Sequence, residues 1–361
     1  MKQYQPTYMR EFHCIADRCR DSCCIGWEIS IDDQTAASYD KIGGSFGKRL
    51  KAAMTKDSPR CFYTDEHERC PFLNEKNLCD IIIEMGEQSL CQICTDHPRF
   101  YNWYPDRKEC GLGLCCEEAA RLILTQPMIL SESEIPSETA GTFDLQLLEC
   151  LRNARDIIIL QLQDKTQPLY LQLSRLVIFT HNLQSGADNG DLTLPEWKYT
   201  ATDSPCTPWN ASELPEFLSS LEAMDKNWHP YLQNCIKHMP EIQNELETFR
   251  RQFPQCEDYL RNIAVYFIWR YFANGAAEGE FLSYSKLAAA AVVLCECFFC
   301  YDWLQGMAPE IQHCADLTKQ FSKEIEYAEE NLNALLDATY TLPTLETISF
   351  AKALHELHQY K

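Results

Sequence analysis

Cysteine is the residue type in this sequence whose number and spacing could do chemistry. The chain of 361 residues contains 20 cysteines, and twelve of them lie within residues 1–120. The densest run is His13-Cys14-Ile-Ala-Asp-Arg-Cys19-Arg-Asp-Ser-Cys23-Cys24. Close spacing lets several thiolates reach one ion, because a short loop between two ligands has little conformational freedom to lose. The first third of the chain is therefore predicted to bind a metal ion or an iron–sulfur cluster.

A disulfide framework is the competing explanation for so many cysteines. Neighbouring Cys23 and Cys24 would bridge to each other only with strain. The amino terminus has no apolar stretch of the kind that directs export, so we expect a cytoplasmic protein. In a reducing compartment many cysteines indicate metal ligands, redox chemistry or buried thiols rather than disulfides.

The identity of the metal stays open at this point. All-cysteine ligation suits both Zn²⁺ and a [4Fe–4S] cluster. The cysteine spacing is neither the CxxxCxxC pattern of radical enzymes that cleave S-adenosylmethionine nor the ferredoxin run CxxCxxCxxxC. Three classes of function therefore remain: an enzyme with a metal-based site, a non-enzymatic zinc or iron module for metal handling or protein interaction, and a redox protein.

Short elements are predicted to position the cysteines. Asp32 follows a short alternating segment and is predicted to cap a helix that ends at Tyr39. Cys70 and Cys79 flank a turn signal at 74–77, which predicts a tight hairpin with one cysteine on each arm. A knuckle of this kind can present two thiolates to one site.

The rest of the chain has helical periodicity. Residues 131–142 are polar, contain Pro and Gly, and form the predicted linker between a cysteine-rich domain, 1–130, and an α-helical domain, 143–361. The predicted helices span 143–163, 168–184, 211–224, 229–249, 256–275, 282–305, 309–337 and 343–359. The expected fold class is mainly α, with a small irregular cysteine-rich module that carries a short β hairpin and packs on a larger α-helical domain.

The net charge of −21 is unevenly distributed. The first 120 residues carry −5, and the remaining 241 carry −16. Such acidity repels phosphate, which argues against nucleic acid or an anionic membrane as a partner. It would suit a lysine-bearing or otherwise basic substrate, or it serves solubility alone. The longest apolar run, 287–295, is too short to cross a bilayer.

Arg99 and three nearby aromatic residues are candidate binding residues. Arg99 could hold a carboxylate of a substrate or of a neighbouring acid through two hydrogen bonds. Tyr101, Trp103 and Tyr104 could cage a cation or a sulfonium, or they could belong to the core. No residue of the sequence stands out as a catalytic acid, base or nucleophile.

The cysteine pattern resembles that of the flagellin lysine-N-methylases, FliB-type proteins that contain a module called CxxCxxCC, which chelates zinc or iron. The resemblance rests on these segments: Cys14-x4-Cys19-x3-Cys23-Cys24-x2-Trp27, Cys70-Pro-Phe-Leu, Leu78-Cys79-Asp-Ile, Cys94-x2-His97-Pro-Arg99 and Leu112-x-Leu-x-Cys116. Residues 321–332 resemble the closing helical signature of that family. Across 131–310 the resemblance rests on helical character alone.

The resemblance implies a function and a set of ligands. It implies methyl transfer from S-adenosylmethionine to the ε-amine of lysines in flagellin, with a [4Fe–4S] cluster, or alternatively Zn²⁺, and without a Rossmann methyltransferase domain. The eight family cysteines fall on Cys14, Cys19, Cys23, Cys24, Cys70, Cys79, Cys94 and Cys116. Four further cysteines lie outside that pattern: Cys61, Cys91, Cys110 and Cys115. After Cys116 the family often has Pro, whereas this chain has Glu117.

Overall fold

The computed structural model describes residues 1–136, 141–199 and 208–359. The chain divides into two compact units. The larger one, the helical unit, contains Met1–Glu11, Tyr101–Cys115 and Ala119–Lys361. The smaller one, the cysteine unit, contains Phe12–Phe100 and Cys116–Glu118. These bounds differ from those of the predicted domains, because both 1–11 and 101–115 belong to the helical unit.

A four-stranded sheet explains this difference. The strands in the described residues are β1 (Lys2–Pro6), β2 (Ser30–Ile31), β3 (Arg60–Cys61), β4 (Arg99–Trp103), β5 (Arg107–Leu112) and β6 (Leu130–Glu134). The larger sheet has the order β4-β5-β1-β6, and β2 pairs with β3 separately. β1 runs parallel to β5 and antiparallel to β6. Residues 131–134 of the predicted linker therefore belong to a strand, and residues 137–140 of it lie outside the described residues.

Helices make up most of the described chain, as predicted. In the cysteine unit they are α1 (Asp33–Tyr39), α2 (Gly44–Ala53), α3 (Asp80–Met85) and α4 (Gln92–Asp96). The next ones are α5 (Glu117–Thr125), α6 (Leu145–Leu162), α7 (Leu169–Asp188), α8 (Glu213–Leu218), α9 (Trp228–Lys237) and α10 (Met239–Gln252). The last ones are α11 (Gln255–Tyr271), α12 (Leu282–Leu304), α13 (Ile311–Glu326), α14 (Glu329–Thr341) and α15 (Thr347–Gln359). The mainly α fold class is confirmed.

Two of the predicted helices are each divided in the structure. The predicted helix 229–249 becomes α9 and α10, because Pro240 lies in the first turn of α10 and cannot continue a preceding helix. The predicted helix 309–337 becomes α13 and α14. There the side-chain amide of Asn331 donates to the Glu324 carbonyl at 2.7 Å and satisfies one of the last carbonyls of α13.

Helix α12 lies at the centre of the helical unit. It has the length and apolar composition of a membrane-spanning helix, but 89% of its apolar window is buried. Helices α7, α10, α11, α13 and α14 pack around it. Its cysteines, Cys295, Cys297 and Cys300, are all buried and serve as small core residues.

A buried ion pair connects the sheet to the helices of the same unit. Arg155 on α6 donates from its two terminal nitrogens to Glu109 on β5 at 2.6 and 2.7 Å. Both side chains are at most 2% exposed. The Arg155 guanidinium also lies 4.4 Å from the ring centre of Trp269 on α11, and the Trp269 indole donates to the Cys110 carbonyl at 3.1 Å.

Replacing one partner of this ion pair is expected to destabilise the helical unit strongly. Arg155→Met would leave the Glu109 carboxylate buried without its counter-ion, at a cost of about 3–5 kcal/mol in the free energy of unfolding. Lys165→Met is the control, because the Lys165–Asp258 pair is exposed and its loss costs at most about 1 kcal/mol. Chemical denaturation measures both. Equal stability of the two variants would contradict the importance of the pair.

Candidate functional site

Five cysteines of the cysteine unit share one hydrophobic cluster. Cys70 and Cys91 are 6% and 1% exposed within it, and three partly buried thiols pack against them. We call this group the thiol cluster: Cys24, Cys70, Cys79, Cys91 and Cys94. Its apolar surroundings include Ile29, Tyr39 and Phe72. Cys91, which lies outside the family pattern, is therefore a member that the residue-by-residue resemblance missed.

Helix starts and a tight turn position the members of the thiol cluster. Cys91 precedes α4, and its sulfur lies 3.4 Å from that of Cys94 in the same helix. Cys79 precedes α3 and bridges to Leu73 across the predicted turn. The predicted hairpin is therefore present, but its strand pairing is limited to a single antiparallel bridge. The Cys70 amide donates to the Cys24 carbonyl at 2.8 Å and holds these two residues side by side.

The thiols influence each other's protonation. Burial, together with the neighbouring thiols of Cys24, Cys79 and Cys91, raises the pKa of Cys70 to about 12. A hydrogen bond from Cys23 lowers the pKa of Cys24 to about 7. Thiolates in one apolar environment repel each other. Several of these thiols can therefore be ionised at the same time only when a cation lies beside them. This set of donors has the chemistry that a soft metal ion or an iron–sulfur cluster requires.

A second group of cysteines lies nearer the surface. Cys14 and Cys23 are exposed, and Cys19 and Cys116 are half-buried. The hydrogen bond to Cys24 raises the pKa of Cys23, and the nearby thiols of Cys14 and Cys116 raise it further. The structure thus places Cys116 with the amino-terminal cysteines, although more than 90 residues separate them.

Glu117 fixes this arrangement within the cysteine unit. Its carboxylate accepts the backbone N–H of Arg20 at 2.9 Å and lies 3.4 Å from the Arg20 side chain. The Cys19 thiol lies 3.7 Å from the same carboxylate, which is 4% exposed. The departure from the family pattern after Cys116 therefore has a structural role. From the sequence alone, Glu117 could be noticed only as an acidic residue next to the candidate ligand Cys116.

The metal ligands themselves remain a prediction. No disulfide joins the cysteines within the described residues. Within the described residues, no three His, Cys, Asp or Glu side chains stand in a geometry that would hold a metal ion. The fit to a cluster or to zinc therefore rests on the kind and the grouping of the donors.

The candidate binding residues near Arg99 separate into different places. The Arg99 guanidinium lies 5.3 Å from the ring centre of Phe12 and donates to the Thr95 carbonyl at 3.3 Å. Tyr101 and Trp103 both face the ammonium of Lys108, at 4.1 and 4.2 Å from their ring centres. The aromatic pair thus holds a cation of its own chain.

Tyr104 does not share that cation. It is 1% exposed, and its hydroxyl donates to the Asn274 side chain at 2.7 Å. The Arg152 guanidinium lies 4.6 Å from the ring centre of Tyr104. Its role in the structure is that of a core residue of the helical unit, which was one of the two interpretations of the sequence.

A buried carboxylate of the helical unit escaped the sequence analysis altogether. Glu326, at the end of α13, accepts the hydroxyls of Tyr266 at 2.8 Å and Tyr271 at 2.7 Å. Arg270 lies 3.1 Å from the same carboxylate, which is fully buried. Next to it, the Tyr327 hydroxyl donates to the Cys115 sulfur at 2.9 Å. In the sequence, the signal that could have revealed this site is the helical spacing of Tyr266, Arg270 and Tyr271 on α11.

Fold and thiol groups together define a mainly α-helical protein with a smaller, cysteine-rich unit. The family model for the FliB lysine N-methylase C-terminal domain matches residues 155–352. The chain belongs to the FliB lysine N-methylase family.

Curated relatives agree with this assignment. A lysine-N-methylase of Salmonella typhimurium (strain LT2) is 29% identical over 150 residues, which cover 39% of this chain and 37% of the relative. A lysine-N-methylase of Salmonella choleraesuis (strain SC-B67) gives the same figures. The flagellar biosynthetic protein FliU of Salmonella muenchen is 26% identical over 137 residues, 36% of this chain and 81% of that protein. The match thus spans little more than a third of the two methylases, and no solved structure matches the chain.

Removing one thiol of the thiol cluster is expected to reduce metal binding. Cys91→Ser would weaken metal affinity by at least about tenfold, as the loss of a ligand or of its direct support does. Metal and sulfide analysis after anaerobic purification measures the effect. Cys61→Ser is the matched control, because Cys61 is buried in the same unit but lies outside the thiol cluster. Wild-type metal content in Cys91→Ser would contradict the assignment.

The cation between Tyr101 and Trp103 is expected to stabilise the sheet. Lys108→Met keeps the length of the side chain and removes the charge, which should lower the free energy of unfolding by about 1 kcal/mol. Lys108→Arg keeps a cation over both rings and should retain most of the stability. Urea denaturation compares the three proteins. If Met and Arg variants are equally stable, the charge contributes nothing there.

Proposed function

We propose that this protein is a lysine N-methyltransferase that transfers a methyl group from S-adenosylmethionine to lysine ε-amines of flagellin. The match of residues 155–352 to the lysine N-methylase domain is the observation that carries the proposal. The names of the relatives support both halves of it, since two are lysine-N-methylases and one is a flagellar biosynthetic protein.

The reaction makes one demand on the acceptor. A lysine amine attacks the methyl carbon only in its neutral form, and its ordinary pKa is about 10.4. The new C–N bond forms as the C–S bond breaks, the sulfonium becomes a neutral thioether, and the amine releases one proton. Holding the amine in line with the C–S bond supplies much of the rate. Residues 121–361, with a net charge of −16, provide carboxylates that attract the lysine cation before it loses its proton.

We further propose that the cysteine unit holds a [4Fe–4S] cluster. The eight family cysteines and Cys91 are the residues that would bind it or support it. The grouping of five thiols in one apolar cluster supports this proposal. When bound, the cluster would stabilise the cysteine unit, because its binding energy adds to the folding energy of that unit. A cytoplasmic location fits a thiolate-bound cluster, because that compartment keeps cysteines reduced.

Methylation of flagellin by the purified protein is the direct test. The protein, purified without oxygen, is incubated with flagellin and S-adenosylmethionine that carries an isotopic label in its methyl group. We expect the label on flagellin lysines, located by mass spectrometry of peptides. Because the amine must be neutral, the initial rate should rise by about tenfold per pH unit below the pKa of the bound lysine.

Two variants allow this experiment to test the methyltransferase activity and the cluster separately. Cys61→Ser should methylate at the wild-type rate, and Cys91→Ser should lose activity in proportion to its lost iron. No label on flagellin from protein with its full iron content would refute the methyltransferase. Full activity in protein that contains stoichiometric zinc and no iron would refute the cluster and leave the methyltransferase standing.

A further inference from the structure

A cavity of about 420 Å³ lies in the helical unit, between the start of α7, the end of α10, the start of α11 and the middle of α12. Pockets for small molecules usually measure about 300–1,000 Å³. A second cavity of the same unit, beside Trp228 and Tyr231, measures only about 190 Å³. The larger cavity therefore has the size of a ligand site, and the smaller one falls short of it.

One wall of the larger cavity is a rigid polar network. Arg250 on α10 donates to both carboxylate oxygens of Glu296 on α12, at 2.8 and 2.7 Å. The hydroxyl of Tyr170 donates to the same carboxylate, and the Arg250 guanidinium lies 4.4 Å from the ring centre of Tyr170. A third bond joins Arg250 to the Leu357 carbonyl at 3.0 Å. Because Glu296 is 4% exposed, this wall keeps its shape before any ligand arrives.

Part of the remaining lining is apolar and aromatic, and the rest includes Lys165, Thr166, Gln167 and Glu257. Phe249 and Phe253 lie 5.5 Å apart, ring centre to ring centre, and Phe253 also contacts Trp303. Leu260 on α11, which is 2% exposed, completes this side. Aromatic and branched side chains around a slot suit a flat heterocycle, which gains from stacking as well as from leaving water.

Charges of both signs surround the opening. Glu247 and Arg251 on α10 lie 3.9 Å apart, with side chains that are 46% and 70% exposed. An exposed pair at this distance contributes little to stability, so each partner can turn to a ligand at small cost. The ammonium group of a ligand could form an ion pair with Glu247 there, and its carboxylate could form one with Arg251.

A flat heterocycle, a sulfonium, an ammonium and a carboxylate occur together in one molecule of the proposed reaction. We infer that this cavity binds the methyl donor, S-adenosylmethionine, with its adenosyl part against Phe253 and Leu260 and its amino acid part at Glu247 and Arg251. The inference rests on the proposed function. It gives the donor a site in a chain whose described sheet, β4-β5-β1-β6, is mixed and has no parallel nucleotide-binding arrangement.

Binding of S-adenosylhomocysteine, the demethylated donor, tests the inference without turnover. Isothermal titration is performed with the full chain and with two variants. Leu260→Trp fills the slot and should weaken binding by at least about tenfold. Arg251→Glu reverses the exposed charge that meets the carboxylate and should weaken binding about fivefold to tenfold. Leu317→Trp, the same change of side chain beside the smaller cavity, is the control and should bind as wild type.

Each outcome decides a different question. If wild-type protein with its full metal content does not bind S-adenosylhomocysteine, the proposed function itself fails. If the wild type binds and both cavity variants bind equally well, the donor lies elsewhere and the inference is overturned. Weakening by Leu317→Trp as large as that by Leu260→Trp would also overturn it. Should Leu260→Trp fail to fold by circular dichroism, Arg251→Glu decides alone, because its side chain lies outside the core.

Discussion

The helical unit depends on one buried ion pair, Glu109–Arg155. It connects the central part of the sheet to α6, and through Trp269 it reaches α11. A charge in this position is stable only while its partner is present, since an unpaired buried ion costs several kcal/mol. The pair therefore favours the observed placement of β5 beside α6, because any other placement would separate the two charges. Another buried carboxylate of the unit, Glu326, also has an arginine beside it, Arg270.

Much of the fold could be predicted from the sequence, and the reason is local. Helices α6, α7, α11 and α12 show apolar residues at helical spacing, so their existence and approximate bounds follow from the chain itself. The sheet could not be predicted, because its pairs join residues such as Lys2 and Glu134, which lie 132 positions apart. No local pattern encodes such a pairing. The apolar spacing of 309–337 is helical throughout, so it does not reveal the break between α13 and α14 at Tyr327 and Ala328.

The candidate site shows the same limit in chemical terms. Spacing identified cysteines as the reactive residue type, and the resemblance selected eight of them, but neither revealed that Cys91 shares the cluster of Cys70 and Cys94. Glu117 shows that a residue outside the family pattern can also support a cysteine. It replaces a residue that the family often has, and its contacts with Arg20 still hold the neighbouring cysteine in place. A pattern of cysteines thus indicates which side chains could bind a metal, and the fold determines which of them lie close together.

The position of β1 in the middle of the sheet has a consequence for the synthesis of the protein. Its residues leave the ribosome before those of both neighbouring strands, and β6 ends only at Glu134. At a synthesis rate of about 5–20 residues per second, β1 waits roughly ten seconds for its last partner. By the end of that interval residues 12–100 and 116–118, which form the cysteine unit, have all been synthesised. A nascent chain would therefore expose most of its thiols to cellular metal before its own sheet has closed.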